Sequence, residues 1–118
     1  MRISIIIPTY GRPERLERAT RSLLAQRRPP DELVIVVKSW DVASRTAAER
    51  LCCAGSGMAV RIATVEEASI IAAENAGMRA ATGDVVCFMD DDAVAPPDWV
   101  EQITAYYADP RVGGVGGR

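Results

Sequence analysis

The fold is decided by the segment Val85-Val86-Cys87-Phe88-Met89-Asp90-Asp91-Asp92. Its first five residues are apolar and include β-branched and aromatic side chains, a pattern typical of a strand buried on both faces. The strand is predicted to end where the three consecutive carboxylates begin. These acids therefore lie at the carboxyl edge of a sheet, which is where open α/β proteins bind their ligands.

The three carboxylates are a candidate metal site. Adjacent negative charges repel one another, so water or a cation must offset the charge that they bring together. Carboxylate oxygens suit Mg²⁺, Mn²⁺ or Ca²⁺, although three residues alone do not complete a coordination shell. The alternative is a solvated acidic turn whose side chains cap the next helix.

Length and composition indicate a single globular domain over residues 1–118. The formal net charge of −2 gives no reason to expect nucleic acid or an anionic membrane as a partner. No apolar run reaches the roughly 18 residues of a transmembrane helix, and the N-terminus lacks the long apolar region of a signal peptide. The absence of histidine excludes His-dependent triads and His-ligated zinc.

The cysteines are Cys52, Cys53 and Cys87, an odd number without metal-ligand spacing. We interpret them as reduced, buried thiols. Because such thiols persist in a reducing compartment, the expected location is cytoplasmic.

Apolar strand-like segments alternate with amphipathic helical segments along the chain. Besides the acid-tipped segment, strands are predicted at Ile3–Ile7, Leu33–Val37 and, more peripherally, Met58–Ala63. Helices are predicted at Glu14–Gln26, Asp41–Cys53 (ended by Gly55 and Gly57), Ser69–Ala81 and Pro97–Ala108. This alternation predicts an α/β fold, in which a mostly parallel, doubly wound sheet carries helices on both faces.

Each of the four helices has a predicted inner face, and the first presents Leu16, Ala19, Leu23 and Leu24. The second helix presents Ala43 or Ala47, together with Ala48 and Leu51. The third presents a stripe of mostly small residues that lets it lie close to the sheet, namely Ile70, Ala73, Gly77 and Ala80. The fourth presents Trp99, Ile103 and either Tyr106 or Tyr107.

The loop Pro8-Thr9-Tyr10-Gly11-Arg12 follows the first strand and falls at the same sheet edge as the acids. It supplies a hydroxyl, an aromatic ring and a guanidinium, which could hold a nucleotide with Arg12 on a phosphate. A plain β-to-α turn explains the same residues without a ligand. Neither glycine-rich phosphate-binding motif, G-x-G-x-x-G or G-x-x-x-x-G-K-[ST], occurs.

Several segments together resemble the family 2 glycosyltransferases with the GT-A fold. These segments are Ile3–Pro13, Leu23–Gln26, Pro30–Glu32, Glu74–Asp84 and Phe88–Asp92. Their order and spacing are similar to the N-terminal, nucleotide-sugar-binding half of the family over essentially the whole chain. The resemblance implies a Rossmann-like domain that binds a nucleotide-diphosphate-sugar donor together with Mg²⁺ or Mn²⁺.

The resemblance also implies roles for individual residues. Asp90 and Asp92 occupy the acidic D-x-D positions, with Asp92 as the direct metal ligand and Asp90 near the ribose or metal-bound water. Asn75 falls on the family's asparagine near the donor, although an ordinary helix residue bonded to a nearby loop is the alternative. The residues assigned to donor binding are Pro8, Thr9, Tyr10, Arg12, Lys38, Asn75, Asp90 and Asp91, and those assigned to the metal are Asp90 and Asp92.

The chain departs from the family after the second strand, where acidic residues commonly meet the nucleoside base. Lys38 stands there instead, and a lysine cannot accept a hydrogen bond from a base N–H. Either Asp41 or a backbone carbonyl makes the contact with the base in this chain, or the chain prefers a different base from those family members. Trp40 either stacks on the base or packs against the protein or a partner. Glu74 replaces an arginine that is frequent in the family.

The family's acceptor-binding half and general base have no counterpart here, so the catalytic residue is unknown. Transfer to an acceptor hydroxyl with inversion needs a carboxylate base, and Asp98 and Glu101 are interpreted as first-turn helix acids. We therefore expect the donor half of an inverting glycosyltransferase, in a truncated form. Its incomplete core would leave a sheet edge unpaired near Val112–Val115 and favour self-association.

Two other functional classes are compatible with parts of the pattern. One is a non-catalytic nucleotide-sugar-binding module, which the missing base and Lys38 favour. The other is a flavodoxin-like signalling receiver, but this needs an acidic pair after the first strand, where Pro8 and Thr9 stand. The donor sugar, the nucleobase and the acceptor are not identified by the sequence.

Overall fold

The computed structural model describes residues 1–53 and 57–116, so predictions on Gly55, Gly117 and Arg118 lie outside the described residues. Within them, strands and helices alternate: β1 (Ile3–Pro8), α1 (Pro13–Leu24), β2 (Glu32–Lys38), α2 (Val42–Cys52), β3 (Ala59–Val65), α3 (Ile70–Ala80), β4 (Val85–Phe88) and α4 (Trp99–Tyr106). The strands form one parallel sheet in the order β3-β2-β1-β4. The predicted α/β fold is confirmed.

Helices cover both faces of the sheet, as predicted, but unequally. On one face, apolar residues of α1, α2 and α4 pack with alternate residues of β1 and β2. On the other face, α3 alone packs through Ala73 against Ile6, Val34 and Val36. Among the described helices none is long and apolar enough to cross a membrane.

The acid-tipped strand is not buried on both faces, which corrects the prediction. Among the described residues β4 pairs only with β1, and it therefore forms an edge of the sheet. The Phe88 side chain is 44% exposed on the thinly covered α3 face. An apolar run indicates that a strand contacts the core, but it does not show whether the strand has a neighbour on one side or on both. The described residues around Val112–Val115 form no strand, and self-association stays a prediction.

Several predicted burial positions also change. All three cysteines are free thiols as expected, but Cys52 and Cys53 are exposed at the end of α2 and Cys87 is half-buried. The end of α2 lies beyond the buried turn at Leu51, so the two thiols meet solvent. Ile70, which was expected to face inward, is exposed because it is the first residue of α3. Of the two tyrosines offered as alternatives at the end of α4, Tyr106 is exposed and Tyr107 packs against the core.

Other inward positions agree with the predicted periodicity. The second helix uses Ala47 rather than Ala43, together with Ser44, and the fourth uses Val100 and Ile103. Asp41, the first residue of the predicted second helix, caps α2, since its carboxylate accepts a hydrogen bond from the backbone N–H of Ser44.

A buried carboxylate at the amino edge of the sheet links all four strand regions. Glu32 of β2 is 0% exposed, and its Oε2 accepts hydrogen bonds from Ser4 Oγ at 2.8 Å and Thr82 Oγ1 at 2.7 Å. Its Oε1 pairs with Nη1 of Arg61 in β3 at 3.0 Å. Ser4 Oγ in turn accepts from the N–H of Gly83, just before β4. Burial alone would raise the pKa of Glu32, but the hydrogen bonds from Thr82 and Ser4 and the Arg61 charge hold that pKa below its ordinary value.

The α3 helix lies so close to the sheet that one position requires glycine. A Cβ at Gly77 would collide with Ile6 Cγ2 and would lie 3.2 Å from Val36 Cγ2. The predicted small-residue stripe thus accounts for the close packing of α3, with Ala73 and Gly77 as its buried members.

Replacing Gly77 by valine should destabilise the fold. Overpacking a core costs about 1–3 kcal/mol, whereas valine regains only a few tenths of a kcal/mol over glycine in helix propensity. We expect chemical denaturation to show a lower free energy of unfolding for Gly77→Val than for Met78→Val, which changes an exposed position on the same helix. Equal stability of the two variants would contradict the close approach of α3.

The Glu32 network predicts an acid-sensitive stability. Because the folded-state pKa lies below the ordinary 4.5, the carboxylate stabilises the fold above pH 4.5, and this contribution is lost as the pH falls through the folded pKa. Glu32→Gln should be less stable at pH 7 by about 1–3 kcal/mol and should lose less stability on acidification. Denaturant titrations from pH 7 to pH 3 measure this, with the exposed Glu49→Gln as the control. An unchanged acid profile in Glu32→Gln would be inconsistent with the network.

Candidate functional site

A cleft of about 500 Å³ opens at the carboxyl edge of the sheet, between the ends of β1, β2 and β4 and the start of α3. Its lining contains every residue predicted to bind the donor or the metal except Asn75. The lining residues are Pro8, Thr9, Tyr10, Arg12, Lys38, Ala68, Ile70, Glu74, Phe88, Met89, Asp90, Asp91 and Asp92.

The three consecutive acids play different parts. Asp91 is only 6% exposed, and its Oδ2 accepts a hydrogen bond from Thr9 Oγ1 at 2.9 Å, which ties the loop after β4 to the loop after β1. Asp90 and Asp92 are exposed to the cleft. The two D-x-D carboxylates are therefore accessible to a ligand, whereas the central one is engaged within the protein.

Arg12 lies beside these acids. Its Nη1 is 3.7 Å from Asp91 Oδ1 and 3.8 Å from Asp92 Oδ2, with the Arg12 side chain 48% exposed. Ion pairs of this length and exposure are weak, so the guanidinium offsets part of the acidic charge and stays available to an anionic ligand. A phosphate group is the anion that a planar guanidinium binds best.

The carboxylates fit a metal ion only in combination with a ligand. Within residues 1–53 and 57–116, no cluster of three or more potential metal-ligating side chains is arranged to hold an ion. Two accessible carboxylates suit Mg²⁺ or Mn²⁺, which commonly bind through one or two carboxylates, substrate phosphates and water. The residues therefore match a cation shared with a phosphate ligand and do not form a complete protein-only site.

The end of β2 supplies a cation rather than an acid. Lys38 is 7% exposed and lines the cleft. Both carboxylate oxygens of the nearby Asp41 accept hydrogen bonds from the protein backbone. Oδ2 accepts from the Gly11 N–H at 2.7 Å, and Oδ1 accepts from the Ser44 N–H at 3.2 Å. Burial alone would raise the pKa of Asp41, but these hydrogen bonds hold it below its ordinary value. Asp41 also does not line the cleft, which disfavours it as the acceptor for a base N–H, one of the alternatives considered from the sequence.

Two aromatic side chains meet at the rim of the cleft. The Tyr10 and Trp40 rings contact each other edge to face, with centroids 5.9 Å apart, and Trp40 Nε1–H donates to Tyr10 Oη at 3.2 Å. Gly11 follows with a φ of 64°, a left-handed conformation that favours glycine. Trp40 therefore positions the Tyr10 ring, and Gly11 allows the turn that directs its own N–H to Asp41.

Asn75 lies outside the cleft. It is exposed in a neighbouring groove at the end of β3, together with Glu66, Glu67 and Arg79. Successive helical residues project about 100° apart, so the preceding residue, Glu74, faces the cleft instead.

Five lining residues were not among those predicted to bind the donor or the metal, namely Ala68, Ile70, Glu74, Phe88 and Met89. Strand alternation could have identified Phe88, because it lies two residues before Asp90 and so on the same face. The α3 residues depend on how that helix sits against the sheet, and this was not visible in the sequence.

The comparisons with known proteins agree with this geometry. Residues 4–118 match glycosyl transferase family 2. The glucosyl-dolichyl phosphate glucuronosyltransferase of Haloferax volcanii is 33% identical over an alignment of 120 residues. This alignment covers 99% of this chain and 38% of that protein. The validoxylamine A glucosyltransferase of Streptomyces hygroscopicus subsp. limoneus is 27% identical, over 92% of this chain and 24% of that protein. The chain thus spans well under half the length of these relatives.

Solved structures show the same architecture. The mannosyltransferase PcManGT from Pyrobaculum calidifontis, in complex with GDP-Man and Mn²⁺, superposes with a TM-score of 0.86 at 28% identity, over 95% of this chain and 34% of that one. TarS of S. aureus shares the fold, with a TM-score of 0.81 at 20% identity, over 100% of this chain and 38% of that one. Since the family match extends over residues 4–118, the chain belongs to glycosyl transferase family 2.

Proposed function

We propose that this chain binds a nucleotide-diphosphate sugar together with Mg²⁺ or Mn²⁺, as the donor half of an inverting glycosyltransferase that transfers the sugar to an acceptor hydroxyl. One observation carries the proposal: a single cleft brings together two accessible carboxylates, Asp90 and Asp92, with the guanidinium of Arg12 and the aromatic ring of Tyr10. This combination matches the cation, diphosphate and nucleoside parts of such a donor.

The related structures support the donor class. PcManGT is in complex with GDP-Man and Mn²⁺, and a TarS structure is in complex with UDP-GlcNAc. These ligands share a nucleoside diphosphate joined to a sugar, but they differ in the base and in the sugar. The relatives therefore support a nucleotide-sugar donor for this chain without identifying which one.

Each group in the cleft has a defined task in the proposal. Asp92 and Asp90 supply carboxylate oxygens to the cation, and Arg12 binds the diphosphate from the side facing the acids. Asp91 and Thr9 hold these loops together through their buried hydrogen bond. When bound, a divalent cation offsets the negative charge that develops on the departing nucleoside diphosphate.

The acceptor side of the reaction is also part of the proposal. Deprotonation of an acceptor hydroxyl needs a positioned base, and Asp90, Asp91 and Asp92 are already assigned to the donor and to the fold. We propose that this base is supplied by sequence of the kind that relatives have beyond the shared segment.

We also propose that the reaction takes place in the cytoplasm, in keeping with the three free thiols.

Replacing Asp92 by asparagine should remove metal-dependent nucleotide binding. The amide keeps the shape of the side chain but loses a charged metal ligand, so we expect GDP and UDP affinity in the presence of Mn²⁺ to fall by about tenfold or more. Calorimetric titration of each nucleotide, with and without Mn²⁺, measures the change.

Glu101→Gln is the matched control, because it removes one exposed carboxylate from α4 and should bind as the unsubstituted chain does. Wild-type affinity and metal dependence in Asp92→Asn would overturn the proposed metal role. A folded native chain that binds neither nucleotide would overturn the donor-binding function itself.

A further inference from the structure

Lys38 is the only lysine in the chain, in which every other basic side chain is an arginine. It is the last residue of β2, is 7% exposed and lines the cleft. In the part of the chain that the structure describes, its ammonium group has no hydrogen bond or ion pair. The ammonium group is therefore available to an acceptor group of a ligand in the cleft.

The neighbouring carboxylates do not satisfy this ammonium group. Asp41 uses both carboxylate oxygens on backbone N–H groups of Gly11 and Ser44. Glu74 lines the same cleft from α3 but forms no ion pair with Lys38. Neither acid therefore pairs with the ammonium group, which stays available to a ligand in the cleft.

The sheet order places Lys38 at the end of the cleft remote from the acids. The strand order β2-β1-β4 puts one strand between Lys38 and the acids that follow β4. With neighbouring strands about 4.8 Å apart, the two ends of the cleft are separated by roughly 10 Å. If the diphosphate lies with Asp92 and Arg12, as the proposed function holds, the nucleoside extends toward Lys38.

The aromatic pair lies at the same end of the cleft. Tyr10 lines the cleft, and its ring is held by Trp40, two residues after Lys38. A base that packs on the Tyr10 ring would present its edge to the ammonium group. Stacking is tolerant of the base, because every base has a π-face, so the hydrogen-bonding group decides which base is preferred.

We propose that Lys38 selects guanine as the nucleobase of the donor, an inference that rests on the proposed function of the cleft. A lysine ammonium only donates hydrogen bonds. Guanine offers two adjacent acceptors, N7 and O6, to which lysine pairs in nucleic-acid recognition. Uracil offers no such adjacent pair, because an N–H donor separates its two carbonyl acceptors, so an ammonium group meets only one of them at a time. Lys38 is thus a specificity-determining residue.

The test compares GDP and UDP, each with Mn²⁺, on the native chain and on Lys38→Met. We expect the native chain to bind GDP more tightly by about tenfold or more, and Lys38→Met to bind both nucleotides with similar affinity. Lys38→Arg keeps donors that pair with guanine and should retain the preference. Arg18→Met removes one exposed positive charge from α1 and should behave as the native chain does.

Inorganic pyrophosphate with Mn²⁺ is the third probe. Equal weakening of pyrophosphate, GDP and UDP by Lys38→Met would show that the lysine binds phosphate, and would overturn the inference while leaving donor binding intact. A native preference for UDP, or a GDP preference that Lys38→Met retains, would overturn it as well. Binding of no nucleotide at all by a folded native chain would remove the proposed function, and this inference with it.

A second measurement applies even if Lys38→Met does not fold. Reductive ¹³C-methylation of the native chain labels its single lysine, in addition to the N-terminal amine, and keeps the positive charge and one N–H donor. The lysine methyl signal, assigned by its absence in Lys38→Arg, should shift with GDP and Mn²⁺ far more than with pyrophosphate and Mn²⁺. Equal shifts with the two ligands would contradict contact with the base.

Discussion

The carboxylate of Glu32 is the interaction on which the arrangement of the sheet most depends. It is buried at the amino edge of β2, yet it stays charged because Ser4, Thr82 and Arg61 surround it with donors. These partners belong to β1, to the segment before β4 and to β3. One side chain on a central strand thus links every strand of the sheet, which sets how the strand ends align at the opposite edge.

At the opposite, carboxyl edge, the side chains that join the loops to one another are different from those that are accessible to a ligand. Asp91 joins the loops after β4 and β1 through Thr9, and Asp41 joins the loops after β1 and β2 through Gly11. With these acids used inside the protein, Asp92 stays accessible at one end of the cleft and Lys38 lies at the other. The cleft therefore has an acidic end and a basic end, and hydrogen bonds within the protein connect the loops that carry them.

The fold and most of the cleft followed from the sequence because they depend on local patterns. Alternating strands and helices imply a parallel sheet, and parallel strands bring the residues that follow them to one edge. The rest depends on long-range pairing. The edge position of β4, the inward turn of Asp91 and the network around Glu32 are set by which strands are neighbours. The sequence could not show which of Asn75 and Glu74 faces the cleft, because a helix rotation equivalent to one residue decides it.

A cation shared between the acidic end of the cleft and a bound nucleoside diphosphate is the central element of the proposed function. Paramagnetic broadening of backbone NMR signals by a small amount of Mn²⁺ tests this most directly. We predict that the signals of Asp92 and Arg12 broaden strongly when GDP or UDP is present and much less without nucleotide, while Glu32 at the opposite edge is unaffected. Broadening that does not depend on nucleotide, or that is centred away from the cleft, would contradict the account.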